Sequence, residues 1–166
     1  MDMLVKLFDL PPLYPEIEKM EKLGIAIRKP IGPENYGVIQ WILETFGPAW
    51  AGEAENSFFN NPKSIWIAER GGKPIGFACI DATVKGFFGP TGVAKEERGQ
   101  GIGKALLLAA LHGARDLGYG YCVIGSVGPA EFYEKVCGAT KIPGSDPGVY
   151  KGMIWPPKKK KEKKEE

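Results

Sequence analysis

Residues 98 to 104 read Arg98-Gly99-Gln100-Gly101-Ile102-Gly103-Lys104. They join an extended segment, Gly86 to Ala94, to the longest helical pattern of the chain, Gly103 to Leu117. In that pattern Leu106, Leu107, Ala110, Leu111, Ala114 and Leu117 recur at helical spacing before Gly118 ends it. A glycine-rich turn ahead of a helix leaves successive amides without intrahelical acceptors, at the positive end of the helix dipole. A phosphate or pyrophosphate is its natural ligand, and a bare strand-to-helix link is the alternative. Two nucleotide loops are excluded by spacing. A Walker A loop ending in Gly103-Lys104 needs glycine at 98 and Ser or Thr at 105, where Arg98 and Ala105 stand. A dinucleotide G-x-G-x-x-G from Gly99 needs glycine at 104, where Lys104 stands.

Outward from this loop the periodicity predicts alternating elements. Upstream, Ile65 to Ala68 and Ile75 to Asp81 flank Arg70-Gly71-Gly72-Lys73, a β-hairpin around a glycine pair. Gly89, Pro90 and Gly92 interrupt the following strand, which should bulge or lie beside a gap. Before the hairpin come a strand at Ile25 to Lys29 and two helical patterns, one from Pro33 to Gly47 and one from Ala49 to Phe59. Downstream come a buried strand, Tyr121 to Val127, a helix, Pro129 to Val136, and a last strand, Val149 to Trp155. The expected fold class is α/β, with a single mixed central sheet and flanking helices.

Composition narrows the function. With 43% hydrophobic and 25% charged residues in 166, the chain suits one soluble domain. Its formal charge of +2 comes from the end: Pro156 to Glu166 hold six Lys and three Glu, leaving 16 basic and 17 acidic residues elsewhere. A basic face for nucleic acid is therefore not expected, and residues 156–166 read as a Lys/Glu-rich disordered tail. The longest apolar run, Ala105 to Leu111, is too short to span a bilayer, and no leader pattern opens the chain, so no membrane partner and a cytoplasmic location are expected. Cys79, Cys122 and Cys137 have no metal-ligand spacing and His112 stands alone, so no metal is expected.

Two motifs together carry a resemblance. Arg98-x-x-Gly101-x-Gly103, preceded by Gly92-Val93-Ala94, matches an Arg/Gln-x-x-Gly-x-Gly/Ala pattern. Phe132-Tyr133-Glu134-Lys135 lies 29 residues beyond Gly103, after a helix and a strand. The chain from about Ile25 to Trp155 thereby resembles the GNAT superfamily of N-acetyltransferases. The resemblance implies that the third and fourth core strands and the long helix form an acyl-CoA site, with acetyl-CoA as cosubstrate. Val93 and Ala94 would offer backbone groups to the pantetheine arm. The amides of Arg98, Gly99, Gln100, Gly101, Ile102, Gly103 and Lys104 would hold the pyrophosphate, and Tyr133 would be the general acid toward the departing thiolate. Substitution of Gly101 or Gly103 should then hurt more than Arg98→Ala.

Departures accompany the match. Ser126 occupies a position where the family usually has an Asn contacting pantetheine, Val136-Cys137 puts two residues before Gly138, and the strand Gly86 to Ala94 has no carboxylate to act as base. Asp81, Glu53 and Glu55 are the nearest replacements. The resemblance assigns acceptor binding to about residues 33–61 and 142–150. Residues 31–62 carry Glu34, Glu44, Glu53 and Glu55 with no Lys or Arg, which suits a small cationic amine. A protein lysine or N-terminus as acceptor, or a non-catalytic acyl-CoA-binding module, remains open at this point. The domain is expected over residues 24–155, with residues 1–23 an N-terminal extension that could cover a sheet edge or support a homodimer.

Overall fold

The computed structural model describes residues 1–155; the expected tail at 156–166 lies outside the described residues. In chain order the elements are β1 (Met3–Lys6), α1 (Tyr14–Lys22), β2 (Ala26–Arg28), α2 (Asn35–Phe46), α3 (Pro48–Phe59), β3 (Ile65–Arg70), β4 (Lys73–Ile80), β5 (Phe87–Val93), α4 (Ile102–Asp116), β6 (Tyr121–Ile124), α5 (Ala130–Cys137) and β7 (Thr140–Lys141). The strands form one sheet in the order β2-β3-β4-β5-β6-β1-β7. Only β5 and β6 run parallel; the other neighbours are antiparallel. The single mixed sheet with flanking helices is thus the fold the sequence predicts.

Local chemistry explains the joints. Gly71 and Gly72 both have positive φ, 58° and 76°, as a two-residue hairpin turn between antiparallel strands demands. Gly47 ends α2 at φ 99°, and Pro48 opens α3 with a φ already suited to a first turn. Each sheet face has its own core. Against one face, α4 buries Leu106, Leu107, Ala110 and Leu111 among Met3, Val5, Leu7, Met20 and Ile124. Against the other, α2 and α3 enclose Val38, Ile42, Ala54 and Phe58 around Ile65, Ile67 and Phe77. Full burial of each such aliphatic or aromatic side chain contributes about 1.5–3 kcal/mol.

Three expectations are corrected. Residues 3–6 are no external extension: β1 pairs with β6 from Met3↔Ile124 to Lys6↔Tyr121, and with β7 on its other side. Val149 to Trp155 is no strand. Its start belongs to a 3-10 turn, Gly148–Tyr150, while Ile154 and Trp155 are exposed. β1 already occupies the edge of β6 that a C-terminal strand would need, and Gly148 and Gly152 at positive φ break extension. Finally, β6 ends at Ile124, because Ser126 leaves the extended region with φ 46°.

Candidate functional site

The sheet opens between its two parallel strands. β5 and β6 pair only through Phe87↔Val123 and Phe88↔Ile124. Beyond Phe88, β5 keeps its other neighbour, with Ala78↔Thr91, Phe77↔Gly92 and Gly76↔Val93, across a register shift in β4. From Gly89 to Val93 the side of β5 toward β6 has no strand partner among the described residues, the gap that Gly89, Pro90 and Gly92 foretell. Successive strand residues send their amide and carbonyl to opposite edges. Ala94 N–H donates to Ile75 O on the β4 side at 2.9 Å, so the Val93 amide turns toward the gap. An extended ligand carrying amides can add there as a strand would. Ala94 is unsuited to the role the resemblance gives it, since its carbonyl also accepts from Glu97 N at 2.9 Å. The Val93 carbonyl takes Arg98 Nε at 3.3 Å.

At the wide end of the gap lies the glycine-rich loop. Gly99 and Gly101 have φ of 83° and 87°, and Gly101 caps α4, whose first amide-to-carbonyl bond is Ala105 N to Gly101 O. Among the described residues, the N–H groups from Gly99 to Lys104 meet no protein acceptor. They suit an anion such as pyrophosphate. Surrounding side chains fix the loop. Arg70 reaches Glu97 at 2.7 Å and Gln100 Oε1 at 2.9 Å, and Gln100 Nε2 returns to Glu97. Lys104 Nζ lies 2.7 Å from Glu16 of α1, whose carboxyl that ammonium holds below its usual range. Gln100 and Lys104 therefore have their side chains committed within the protein, and their backbone amides remain. Gly103 has ordinary helical φ, and a methyl group there would touch only Val93 at 3.8 Å, so the fold itself accommodates Ala at this position.

Tyr133 stands where the gap closes. Carried by α5 and only 7% exposed, its ring meets Phe88 edge-on at 6.3 Å, and Phe88 is the last residue of β5 paired with β6. Phe132 packs on it at 5.1 Å. Burial pushes the phenol up to about 12, so it holds its proton at neutral pH. Among the described residues, its hydroxyl bonds to no protein group. Ser126, exposed just past β6, donates its backbone N–H to Asp2 Oδ1 at 2.8 Å.

The three carboxylates suggested as replacements separate clearly. Asp81 ties the β4–β5 connection, accepting from Gly86 N at 2.6 Å and Tyr119 OH at 2.9 Å. Glu55 faces solvent. Glu53, on α3, accepts from Thr83 Oγ1 at 2.6 Å. Glu34, counted in the acidic stretch, is neutralised by both guanidinium nitrogens of Arg28 at 2.8 and 2.6 Å. Thr83 and Asp2 are contributors that sequence reasoning passes over. Asp2 carries no motif, and Thr83 lies in an irregular connection; only the spatial return of β1 and α3 reveals them. His112 Nε2 bonds to Pro11 O at 2.7 Å, a structural link, and the three cysteines are buried. No group of metal-ligating side chains occurs among the described residues, and no helix there is long and apolar enough to cross a membrane.

Comparison with known proteins accords with this geometry. The chain matches the acetyltransferase (GNAT) family over residues 35–139. Among solved structures, it resembles the GCN5-related glucosamine N-acetyltransferase region of a fungal multi-domain beta-N-acetylglucosaminidase, with a TM-score of 0.66, 18% identity, and 82% of this chain and 19% of that one covered. A GCN5-related N-acetyltransferase from Sphaerobacter thermophilus matches with a TM-score of 0.64 and 21% identity, over 84% of this chain and 47% of that one. A GNAT family acetyltransferase from Brucella melitensis, solved in complex with acetyl-CoA, gives 0.51 and 23%, over 67% and 80%. The chain thus spans about a fifth and about half of the first two. No curated protein sequence matches. With the family match extending over most of the chain, from α2 to the end of α5, the protein belongs to the GNAT family of acetyltransferases, whose chemistry is acyl transfer from acetyl-CoA.

Proposed function

We propose that the protein is an N-acetyltransferase that moves the acetyl group of acetyl-CoA to a primary amine by direct attack, with Tyr133 as general acid. The observation that carries this reading is a buried tyrosine at the closed end of a sheet gap whose open end is a loop of amides, neither bonded to a protein group among the described residues. Pyrophosphate on the amides of residues 99–104 and pantetheine along Val93 bring the thioester toward Phe88 and Tyr133. Ser126 supports the pantetheine arm through its exposed hydroxyl. The amine attacks the thioester carbon, the C–S bond breaks, and the sulfur takes the Tyr133 proton. Confinement of both reactants replaces a bimolecular encounter with a positioned one.

The acceptor side favours a small cationic amine. Trp50 and Glu53 lie one turn apart on the same face of α3, an aromatic wall beside a carboxylate. Replacing Tyr133 by Phe should lower turnover about 10²-fold or more, in line with the loss of a general acid. Affinity for CoA should stay within about threefold because the pyrophosphate amides are untouched. Thiol release and calorimetric titration read the two quantities. Intact turnover in Tyr133→Phe would remove the tyrosine from the mechanism, whereas CoA binding without transfer to any amine would leave a binding module.

A further inference from the structure

The chain leaves β6 at the narrow end of the gap through a turn that serine does not favour. Ile124 pairs with Phe88, and continued in register residues 125 and 126 would run beside Gly89 and Pro90, along the edge of β5 that an added ligand needs. They turn away instead. Ser126 has φ 46°, in the left-handed region, where an L-residue other than glycine is strained. Asp2 meets this turn from the far side of β6, one residue before Met3, the partner of Ile124. It is only 6% exposed, and its Oδ1 accepts the Ser126 N–H at 2.8 Å. Hydrogen bonds accepted by a carboxylate are among the strong ones. The backbone of Asp2 is anchored separately: its N–H donates to Ser145 Oγ at 2.7 Å, and its carbonyl accepts from Ile142 N at 2.9 Å. Ser145 Oγ in turn donates to Ile142 O at 2.8 Å. Gly125 completes the turn. A methyl group built on it would lie 2.4 Å from the Tyr150 hydroxyl and 2.9 Å from the Phe87 ring, so only glycine leaves room for that hydroxyl to rest on the end of β6.

We propose that Asp2 is a positioning residue for the cosubstrate: its carboxylate holds Ser126 in the left-handed turn and so keeps β6 parted from β5 where the thioester end of acetyl-CoA enters. This rests on the acetyltransferase reading above and deepens it by naming what holds the opening in the free protein. Without the carboxylate, the Ser126 amide loses its acceptor, and the strain at φ 46° is relieved by extension of the chain. Extension carries residues 125–127 toward the edge of β5 that faces the gap. The protein competent to bind is then a fraction of the whole, and the apparent affinity falls by that fraction. The effect passes through the backbone and needs no contact between Asp2 and the cosubstrate. Because the backbone of Asp2 also fixes residues 142–145, the opening and the segment expected to border the acceptor share one support.

The test uses the full chain. Asp2→Ala removes the carboxylate and leaves both backbone anchors of residue 2 in place. The Kd of acetyl-CoA, from calorimetric titration, should rise about tenfold, the equivalent of the penalty for a left-handed serine. The KM for acetyl-CoA should rise in parallel, while kcat toward an amine, read by thiol release at saturating acetyl-CoA, should stay within about threefold. Ser126→Gly supplies the rescue. Glycine adopts a positive φ unaided, so in that background Asp2→Ala should change the Kd by less than about threefold. Asp2→Asn, which keeps an acceptor oxygen for the Ser126 amide, should recover most of the loss. An Asp2→Ala protein whose Kd stays within about threefold of the wild type, or whose loss persists undiminished beside Ser126→Gly, overturns the assignment. So does a fall in kcat with KM unchanged, the mark of a protein that is merely less folded. Wild-type protein that binds acetyl-CoA yet acetylates no amine overturns the transferase reading alone, and the calorimetric comparison still decides the role of Asp2. Wild-type protein that does not bind acetyl-CoA overturns both.

Discussion

Gly101 has a φ of 87° and sits against the Met20 methyl, while Gly103, two residues on, has a helical φ and free space around it. A Cβ at Gly101 must enter the left-handed region, at a cost of about 1–2 kcal/mol, and this strain is relieved by turning the loop amides. Gly101→Ala should therefore weaken CoA binding about tenfold or more, the equivalent of that cost, whereas Gly103→Ala should stay near the wild type; isothermal titration with CoA compares them. At this scale the sequence is legible where a motif fixes a spacing. Tyr133 and the loop lie in register with their motifs, and the structure puts them at the two ends of one gap. Backbone direction is different. Whether Val93 or Ala94 faces the gap depends on which carbonyl of β4 takes the neighbouring amide, and nothing in Gly92-Val93-Ala94 encodes that choice. Tyr150 is illegible for a related reason: its hydroxyl rests against the end of β6 only because Gly125 lacks a side chain.

Helix α4 shows how an element can be correct in propensity and constrained in space. Gly113 lies in its interior, where Ala is favoured by about 1 kcal/mol in an isolated helix. A methyl group there would come within 2.2 Å of the Trp66 ring, which is itself buried on β3. Overpacking of this kind costs about 1–3 kcal/mol, so Gly113→Ala should lower the Tm by several degrees, read by calorimetry. The approach to α2 carries a different load. Arg28 at the end of β2 grips Glu34, which also accepts from Ile31 N at 2.7 Å, and these contacts hold the Glu34 carboxyl down to about 2. A carboxyl depressed on folding stabilises the native state above its unfolded value, about 4.3, and loses that contribution as pH falls toward the folded one. The gap in Tm between wild type and Glu34→Gln should thus be widest near pH 6 and shrink by pH 3. Long periodic elements such as α4 were always readable. The two-residue β7, by contrast, is too short to show a period, and Val149 to Trp155 has β-prone residues but no free edge to join.

Across the whole molecule, residues 1–22 act as part of the frame. β1 and the turn that follows it supply Met3, Val5 and Leu7 to the core beneath α4, and α1 buttresses the glycine loop through Glu16 and Met20. Leu7→Ala should cost about 2–5 kcal/mol, as for other fully buried leucines, measurable by urea unfolding. Glu16→Gln should leave the fold intact while releasing the Lys104 ammonium, and CoA affinity should rise and become more sensitive to salt. Met3, Val5 and Leu7 alternate with Leu4 and Lys6, but that alternation cannot say which strand the segment joins. That choice follows from the early end of β6 and, among the described residues, the lack of a competing C-terminal strand. The same interleaving bears on synthesis. Met3, Val5 and Leu7 are synthesised long before Tyr121 to Ile124, the strand that β1 pairs with. Until then an apolar strand is exposed beside a growing, incomplete sheet. Pairing of β1 with β6 is a contact of long sequence separation that is slow to form and open to aggregation.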